Sequence, residues 1–322
     1  MRKATYCSLG LSIALLLHIF PVLGFTQAQQ PTALVIEGGT LIDGNGGAPV
    51  PDSVIVIQGN RIANVSRKGQ VSYPANAQVI KADGKFVLPG LWDAQVSYQW
   101  YYGEVMLSHG ITSTIDVGNS GEIAVPHRDA VMQGKVRGPR TFTGISRLAK
   151  VPEGGTGLET VLTPTQAPKS AEETRELVRT FIAAGADIIM FQDGSLPMEY
   201  YRAGFEEARK AGKPVFTRAY GPIFGPKEAA LMGSANLPHS AGIGAAVTKT
   251  PPAGRNDSVE LDLYADMDDA KARELIQILV QNKTALTPTF KMQYPGYPRD
   301  SARFVRTPAR SASSTSSSSC AR

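Results

Sequence analysis

Gln95 and Ser97 lie two residues apart at the end of a hydrophobic run, residues 86–94, that the sequence predicts as a buried strand. A neutral imidazole at either position would be a good Zn²⁺ ligand, whereas an amide carbonyl and a hydroxyl are weak, mostly uncharged oxygen donors. The chemistry of this segment therefore depends on which other side chains the fold brings to it.

Other candidates for binding chemistry are Arg218, Asp193 and Trp100. The planar fork of Arg218 suits either a clamp for a substrate carboxylate or an ion pair with Asp193 or Asp116 near neighbouring strand ends. Trp100 belongs to an aromatic group with Trp92, Tyr101 and Tyr102 that either lines an apolar pocket or packs in the core. No Ser-His-Asp or Cys-His arrangement is recognisable by spacing.

The elements that position these residues change in type near Phe86. Residues 29–85 contain short β-rich runs and glycine turns, including a hairpin around Gly59 and Asn60, and they predict a small antiparallel β-sandwich. From residue 86 to 304 apolar strands alternate with amphipathic helices, which predicts a parallel sheet buried on both faces. This series is typical of a TIM-type (β/α)₈ barrel.

The barrel series contains seven predicted strands and lacks an eighth unit. The predicted strands are residues 86–94, 113–117, 141–146, 187–192, 215–219, 236–240 and 285–290, and the predicted helices include residues 171–184, 197–211, 227–232 and 266–282. The first of these helices begins with a capping box, Ser170 to Glu173.

Both ends of the chain differ from its middle. Residues 1–28 carry Arg2 and Lys3 before an apolar run and predict a cleaved signal peptide, hence a secreted or periplasmic protein with no stable membrane span after cleavage. Residues 305–322 are rich in Ser and Arg and predict a disordered tail. An out-of-frame ending and a native flexible tail both fit that composition.

Charge and cysteine content exclude two classes of function. The formal charge of +5 becomes 5 − 2 − 4 = −1 when the two cations of residues 1–28 and the four arginines of residues 301–322 are removed. Nucleic-acid binding is therefore not expected of the folded part. Cys7 leaves with the signal peptide, and Cys320 alone can form neither an internal disulfide nor a cysteine zinc site.

Residues 31–304 resemble the amidohydrolase superfamily, particularly its imidazolonepropionase-like and prolidase-like members. The segments that carry the resemblance are Leu88-Pro89-Gly90-Leu91-Trp92-Asp93-Ala94, Gly110-Ile111-Thr112-Ser113-Thr114, Ala184-Gly185-Ala186-Asp187-Ile188-Ile189 and Glu207 to Val215. The resemblance implies a barrel with a Zn²⁺ centre at its carboxyl-end mouth and hydrolysis of C–N bonds other than linear peptides, in cyclic amides or dipeptides.

The same resemblance assigns the metal-ligand positions one by one. Gln95 and Ser97 stand where the first strand should supply two histidines, Met190 replaces the lysine of strand four, and Arg218 replaces the histidine of strand five. His239 remains on strand six as a relic ligand or a mouth-lining histidine, and the aspartate of strand eight is not reached. Five of six positions are lost, so the resemblance predicts no catalytic residue and no metal cofactor.

Three functions stay open on these grounds. One is an amidohydrolase relative that has lost metal catalysis and binds a small-molecule ligand through Arg218. Another is a non-functional product of a frameshifted gene, since loss of strand eight exposes sheet edges. The third is an active hydrolase with a remodelled site. The sequence gives no indication of the oligomeric state.

Overall fold

The computed structural model describes residues 33–118, 120–148, 167–192, 194–239, 241–251 and 260–289. The chain divides into two compact units, the first ending at Pro89 and the second beginning at Gly90. The predicted signal peptide and the predicted Ser/Arg-rich tail lie outside the described residues. Among those that are described, no helix has the length and apolarity needed to cross a bilayer.

The first unit is one mixed five-stranded sheet. Its strands are β1 Leu34–Leu41, β2 Val50–Gln58, β3 Arg61–Arg67, β4 Gln78–Lys81 and β5 Phe86–Val87. β2 pairs antiparallel with β1 and β3, whereas β4 and β5 both run parallel to β1. The predicted hairpin is confirmed, with Gln58 facing Arg61, but the predicted antiparallel sandwich is not, because the described residues form a single sheet.

A buried carboxylate lies in this first sheet. Glu37 is 5% exposed, accepts a 2.6 Å hydrogen bond from the Tyr73 hydroxyl, and pairs with Lys81 at 3.2 Å and Lys68 at 3.4 Å. The Tyr73 bond, followed by the Lys81 bond, lowers the pKa of Glu37 to about 2. The carboxylate is therefore ionised well below neutral pH.

The second unit contains two parallel sheets, ordered β6-β7-β8 and β13-β12-β11-β10-β9. Their strands are β6 Leu91–Val96, β7 Ile111–Asp116, β8 Arg140–Thr143, β9 Arg147–Leu148, β10 Ile189–Phe191, β11 Val215–Thr217, β12 Asn236–Pro238 and β13 Ala285–Thr287. The predicted parallel α/β architecture is confirmed. A closed barrel is not found, because the described strands form two open sheets.

Helices connect the strands of the second unit. They are α1 Gly103–Ser108, α2 Ala124–Met132, α3 Ala171–Ala183, α4 Met198–Lys210, α5 Pro226–Met232, α6 Ala241–Val247, α7 Glu260–Ala265 and α8 Asp269–Gln281. The Ser170 hydroxyl caps α3 by accepting from the amide of Glu173, but the Glu173 carboxylate accepts from the amide of Lys169 rather than from that of Ser170. The second hydrogen bond of the capping box therefore comes from the amide one residue before the N-cap, and not from the N-cap amide itself.

Two of the predicted strands are divided in the structure. Residues 86–94 become β5 in the first unit and β6 in the second, because Pro89 has no N–H to continue a ladder. At Gly90 a Cβ would lie 2.0 Å from the Thr112 hydroxyl, so β6 begins where only glycine fits. Residues 141–146 also end early, at Thr143, and β9 resumes in the other sheet after Ile145, which has a φ of 61°.

The two faces of the larger sheet bury different apolar groups. Phe181, Tyr201, Phe205 and Phe224 pack with alternate strand residues on the helical side. A smaller cluster on the opposite face contains Val117, Ile188, Met190 and Phe216. Because both faces are buried, the strand segments read as near-continuous apolar runs, and polar side chains are left for the strand ends.

Candidate functional site

Five strands of the second unit carry polar side chains at or just after their carboxyl ends, and a sixth strand, β9, begins with Arg147, which contacts Ser97. In parallel sheets these ends share one edge, where ligands of α/β proteins bind. The group, called the strand-end site below, comprises Gln95 and Ser97 of the β6 end, Arg147 of β9, Gln192 after β10, Arg218 after β11, His239 after β12 and Thr289 after β13.

Gln95, His239 and Thr289 form a hydrogen-bonded chain. The Gln95 Nε2 atom lies 2.6 Å from His239 Nε2, and the Thr289 hydroxyl lies 2.6 Å from His239 Nδ1. With the Gln95 amide donating, His239 Nε2 accepts, and the ring proton on Nδ1 is donated to Thr289. The side chain at a predicted metal-ligand position therefore bonds directly to the one histidine that remained.

The backbone fixes His239 in this arrangement. His239 is 6% exposed and has a φ of 70°, an uncommon value for a residue other than glycine. Its amide donates a 2.8 Å hydrogen bond to the carbonyl of Thr287 on β13. The left-handed turn that ends β12 therefore orients the imidazole toward Gln95.

Arg147 is a site residue that the sequence interpretation did not identify. Its Nε donates to the Val117 carbonyl at 3.1 Å and its Nη2 donates to the Ser97 hydroxyl at 3.3 Å. The only sequence signal was a cation directly after the third predicted strand, residues 141–146. Its contact with Ser97 becomes visible only when β9 is seen to lie in the other sheet.

Two cations act on each other at this edge. Burial, followed by the charge of Arg218, lowers the pKa of Arg147 to about 10, while Asp116 and Tyr220 act in the opposite direction. The guanidinium of Arg147 remains protonated at neutral pH. The strand-end site therefore carries positive charge where the resemblance implied a site for a metal cation.

Arg218 follows β11, and its amide continues the ladder by donating to the Phe191 carbonyl at 3.1 Å. Asp116, one of its proposed ion-pair partners, is 1% exposed and accepts hydrogen bonds from Ser120 at 2.9 Å and Thr143 at 3.2 Å. Asp193, the other proposed partner, lies outside the described residues.

Two further predicted site residues lie in different surroundings. Met190 is fully buried in the apolar cluster with Val117, Ile188 and Phe216, directly beside Arg147 in the pairing of β9 with β10. Trp100 is 68% exposed and packs edge-on against Tyr101 at 5.7 Å. Trp92, expected in the same aromatic group, instead stacks on Phe142.

A cavity of about 410 Å³ lies elsewhere in the second unit, between α5, α6 and α8. Leu275 and Ile278 contribute apolar walls, and Lys227 and Glu274 form a 2.6 Å ion pair at its border. Its lining contains none of the residues of the strand-end site. The cavity and the chemically distinctive residues are therefore separate features.

No family model matches the sequence, and no curated protein matches it. Several solved structures do share its fold. A Xaa-Pro dipeptidase with bound methionine in the active site is 22% identical, with a TM-score of 0.63 over 85% of this chain and 70% of its own. Molinate hydrolase is 20% identical, with a TM-score of 0.59 over 80% of this chain and 63% of its own.

Ochratoxinase from A. niger is 17% identical, with a TM-score of 0.58 over 79% of this chain and 64% of its own. Other similar structures include a prolidase and an amidohydrolase. The chain thus has the fold of these hydrolases, as the resemblance led us to expect. The chain spans 63 to 70% of the length of the Xaa-Pro dipeptidase, molinate hydrolase and ochratoxinase structures.

Proposed function

We propose that this chain is an amidohydrolase-superfamily protein that has lost metal-dependent C–N hydrolysis and uses its strand-end site to bind a small ligand. The observation that carries the proposal is the 2.6 Å hydrogen bond between Gln95 and His239. It joins a position that the resemblance assigns to a metal ligand with the histidine that a metal would need.

The side chains at the implied ligand positions do not fit Zn²⁺. A catalytic zinc site uses three protein ligands drawn from imidazole, thiolate and carboxylate groups. Gln95 and Ser97 offer neutral oxygens, Met190 lies within an apolar cluster, and the cation Arg218 repels a metal ion. Within the described part of the chain, no cluster of three or more His, Cys, Asp or Glu side chains could hold a metal ion.

Hydrogen bonding at His239 opposes metal binding as well. Both ring nitrogens have neighbours at 2.6 Å, so a metal ion at either nitrogen would displace Gln95 or Thr289. A buried polar group that loses its partner costs about 1 to 3 kcal/mol. A metal held by one imidazole with no other strong ligand does not recover that cost.

The similar solved structures support a small molecule as the ligand. Prolidase, molinate hydrolase, ochratoxinase and phenylurea hydrolase share this fold, and the Xaa-Pro dipeptidase is described with methionine in its active site. We propose that the strand-end site of this chain accepts a ligand of comparable size, at the edge where α/β folds bind their ligands.

The full-length protein should be purified without chelators, supplied with excess Zn²⁺, desalted and analysed for metal by mass spectrometry. We expect far less than one equivalent of zinc and no hydrolysis of an Xaa-Pro dipeptide or a lactam above that of a Gln95→Leu, His239→Leu double variant. One equivalent of zinc together with hydrolysis that His239→Leu abolishes would overturn the proposal.

We also propose that the protein is exported by way of residues 1–28, because Arg2 and Lys3 precede an apolar run that is too short for a membrane span. Expression with a C-terminal tag and N-terminal sequencing of the product is the test. Processing close to Ala28 is expected, and an intact Met1 in the recovered protein would contradict export by this route.

A further inference from the structure

We propose that Arg147 and Arg218, together with the hydroxyl of Ser97, bind the carboxylate of a small organic acid. This inference rests on the proposed function and names the class of ligand for the same site. Arg147 was not among the residues that the sequence pointed to, and the resemblance assigns it no role.

The charge of the site favours an anionic ligand. Arg147 is half-buried, and among the described residues no carboxylate oxygen lies within 4.0 Å of its guanidinium. Arg218 is close enough for its charge to act on Arg147. Two cations that repel each other away from bulk water are stabilised by an anion placed between them.

Two hydrogen bonds hold the guanidinium of Arg147 in one orientation. The Val117 carbonyl holds Nε of Arg147 at 3.1 Å, and the Ser97 hydroxyl holds Nη2 at 3.3 Å. Because a guanidinium has more N–H donors than these two bonds use, its remaining donors are available in a fixed direction. A side chain already held in one rotamer loses less entropy when a ligand binds.

The charge and the shape of the arginine donors favour a monocarboxylate over phosphate. Among the described residues, the side chains charged at neutral pH whose fields act on Arg147 are Arg218 and Asp116, and together with Arg147 they sum to 2 − 1 = +1. Gln95 and Gln192, which also belong to the strand-end site, carry neutral amides rather than further cations. A planar anion of single charge matches both this net charge and the planar arginine fork.

Isothermal titration of the full-length protein with benzoate, benzamide and inorganic phosphate tests the assignment. Benzoate and benzamide have nearly the same shape and differ in charge. We expect saturable binding of benzoate, at least about tenfold weaker binding of benzamide, and weaker binding of phosphate than of benzoate.

Substitutions then locate the site. Arg147→Met and Arg218→Met should each weaken benzoate binding at least about tenfold, and Ser97→Ala should weaken it less, because a charged hydrogen bond contributes more than a neutral one. Arg202→Met is the matched control, since Arg202 is an exposed arginine of α4. Circular dichroism and the melting temperature confirm that each variant folds, and Arg147→Lys replaces Arg147→Met if the latter does not.

Equal binding of benzoate and benzamide, tighter binding of phosphate, or unchanged benzoate affinity in the folded arginine variants would each overturn the inference. The two proposals fail in distinguishable ways. Stoichiometric zinc with hydrolysis would contradict the proposed function, whereas a zinc-free protein that does not bind benzoate would contradict only the carboxylate assignment.

Discussion

Gln95 and His239 are 144 residues apart in the chain and are joined by a 2.6 Å hydrogen bond between their side chains. Gln95 belongs to β6 of the three-stranded sheet, and His239 follows β12 of the five-stranded sheet. The carboxyl ends of the two sheets therefore face a common space. The bond also accounts chemically for an amide at a position where the resemblance implied an imidazole.

Removing the Gln95 amide should destabilise the second unit. In Gln95→Leu, the buried His239 Nε2 loses its partner, and we expect the free energy of unfolding to fall by about 1 to 3 kcal/mol in urea titrations. Gln281→Leu, at an exposed position of α8, is the control and should change stability by less than about 0.5 kcal/mol. Equal effects of the two substitutions would show that the hydrogen bond contributes nothing.

Restoring imidazoles should restore metal binding. The triple variant Gln95→His, Ser97→His, Arg218→His supplies three histidines beside His239 and removes the repelling cation. Since three protein ligands suffice for zinc, we expect about one equivalent to be retained after desalting. The single variant Gln95→His should retain far less because Arg218 is still present. A triple variant that binds no more zinc than the wild type would show that these positions do not converge.

Met190 should now act as a core residue. Its side chain is fully buried with Val117, Ile188 and Phe216, so Met190→Ala should lower the free energy of unfolding by about 2 to 4 kcal/mol through lost burial and a cavity. Met132→Ala, at a position that is 63% exposed, is the control and should be nearly neutral. Similar melting temperatures for the two variants would contradict the packing described.

Acid should destabilise the first unit through Glu37. The folded-state pKa is about 2, below the ordinary value of 4.5, so the unfolded chain binds the proton first. The contribution of Glu37 is complete above about pH 4.5 and is lost as the pH falls toward 2. In Tyr73→Phe, which removes the largest cause of the shift, the difference in stability between pH 7 and pH 3 should be smaller than in the wild type.

The matched control for this prediction is Tyr200→Phe. The Tyr200 hydroxyl donates to the Lys169 carbonyl, a group that does not titrate. Loss of that bond should lower stability equally at both pH values, as followed by urea unfolding. If Tyr73→Phe shows the same pH dependence as the wild type, the Tyr73 bond does not control the titration of Glu37.

Local rules predicted the elements well. Gly59 and Asn60 marked the hairpin, and Ser170 marked the start of α3, because turn and cap preferences depend on residues close in sequence. The two divided strands were not foreseen. A break at Ile145 depends on which sheet each half can join, and that choice is made by contacts distant in the sequence.

The strand-end site could be predicted only in part. Gln95, Ser97, Arg218 and His239 were identified as a group from a resemblance, and the structure places them at the same edge. Arg147 and Thr289 were missed because their partners lie 50 residues away, and spacing alone does not reveal such pairs. Trp100 was selected for its residue type, yet its ring lies largely in solvent.

The division of the third predicted strand has a mechanical consequence. Arg147 belongs to the five-stranded sheet, but both of its hydrogen bonds reach residues that follow strands of the three-stranded sheet. The Arg147 side chain therefore links the two sheets by hydrogen bonds. An anion bound to Arg147 should oppose sliding of one sheet past the other. The second unit should therefore become more rigid as the strand-end site is occupied.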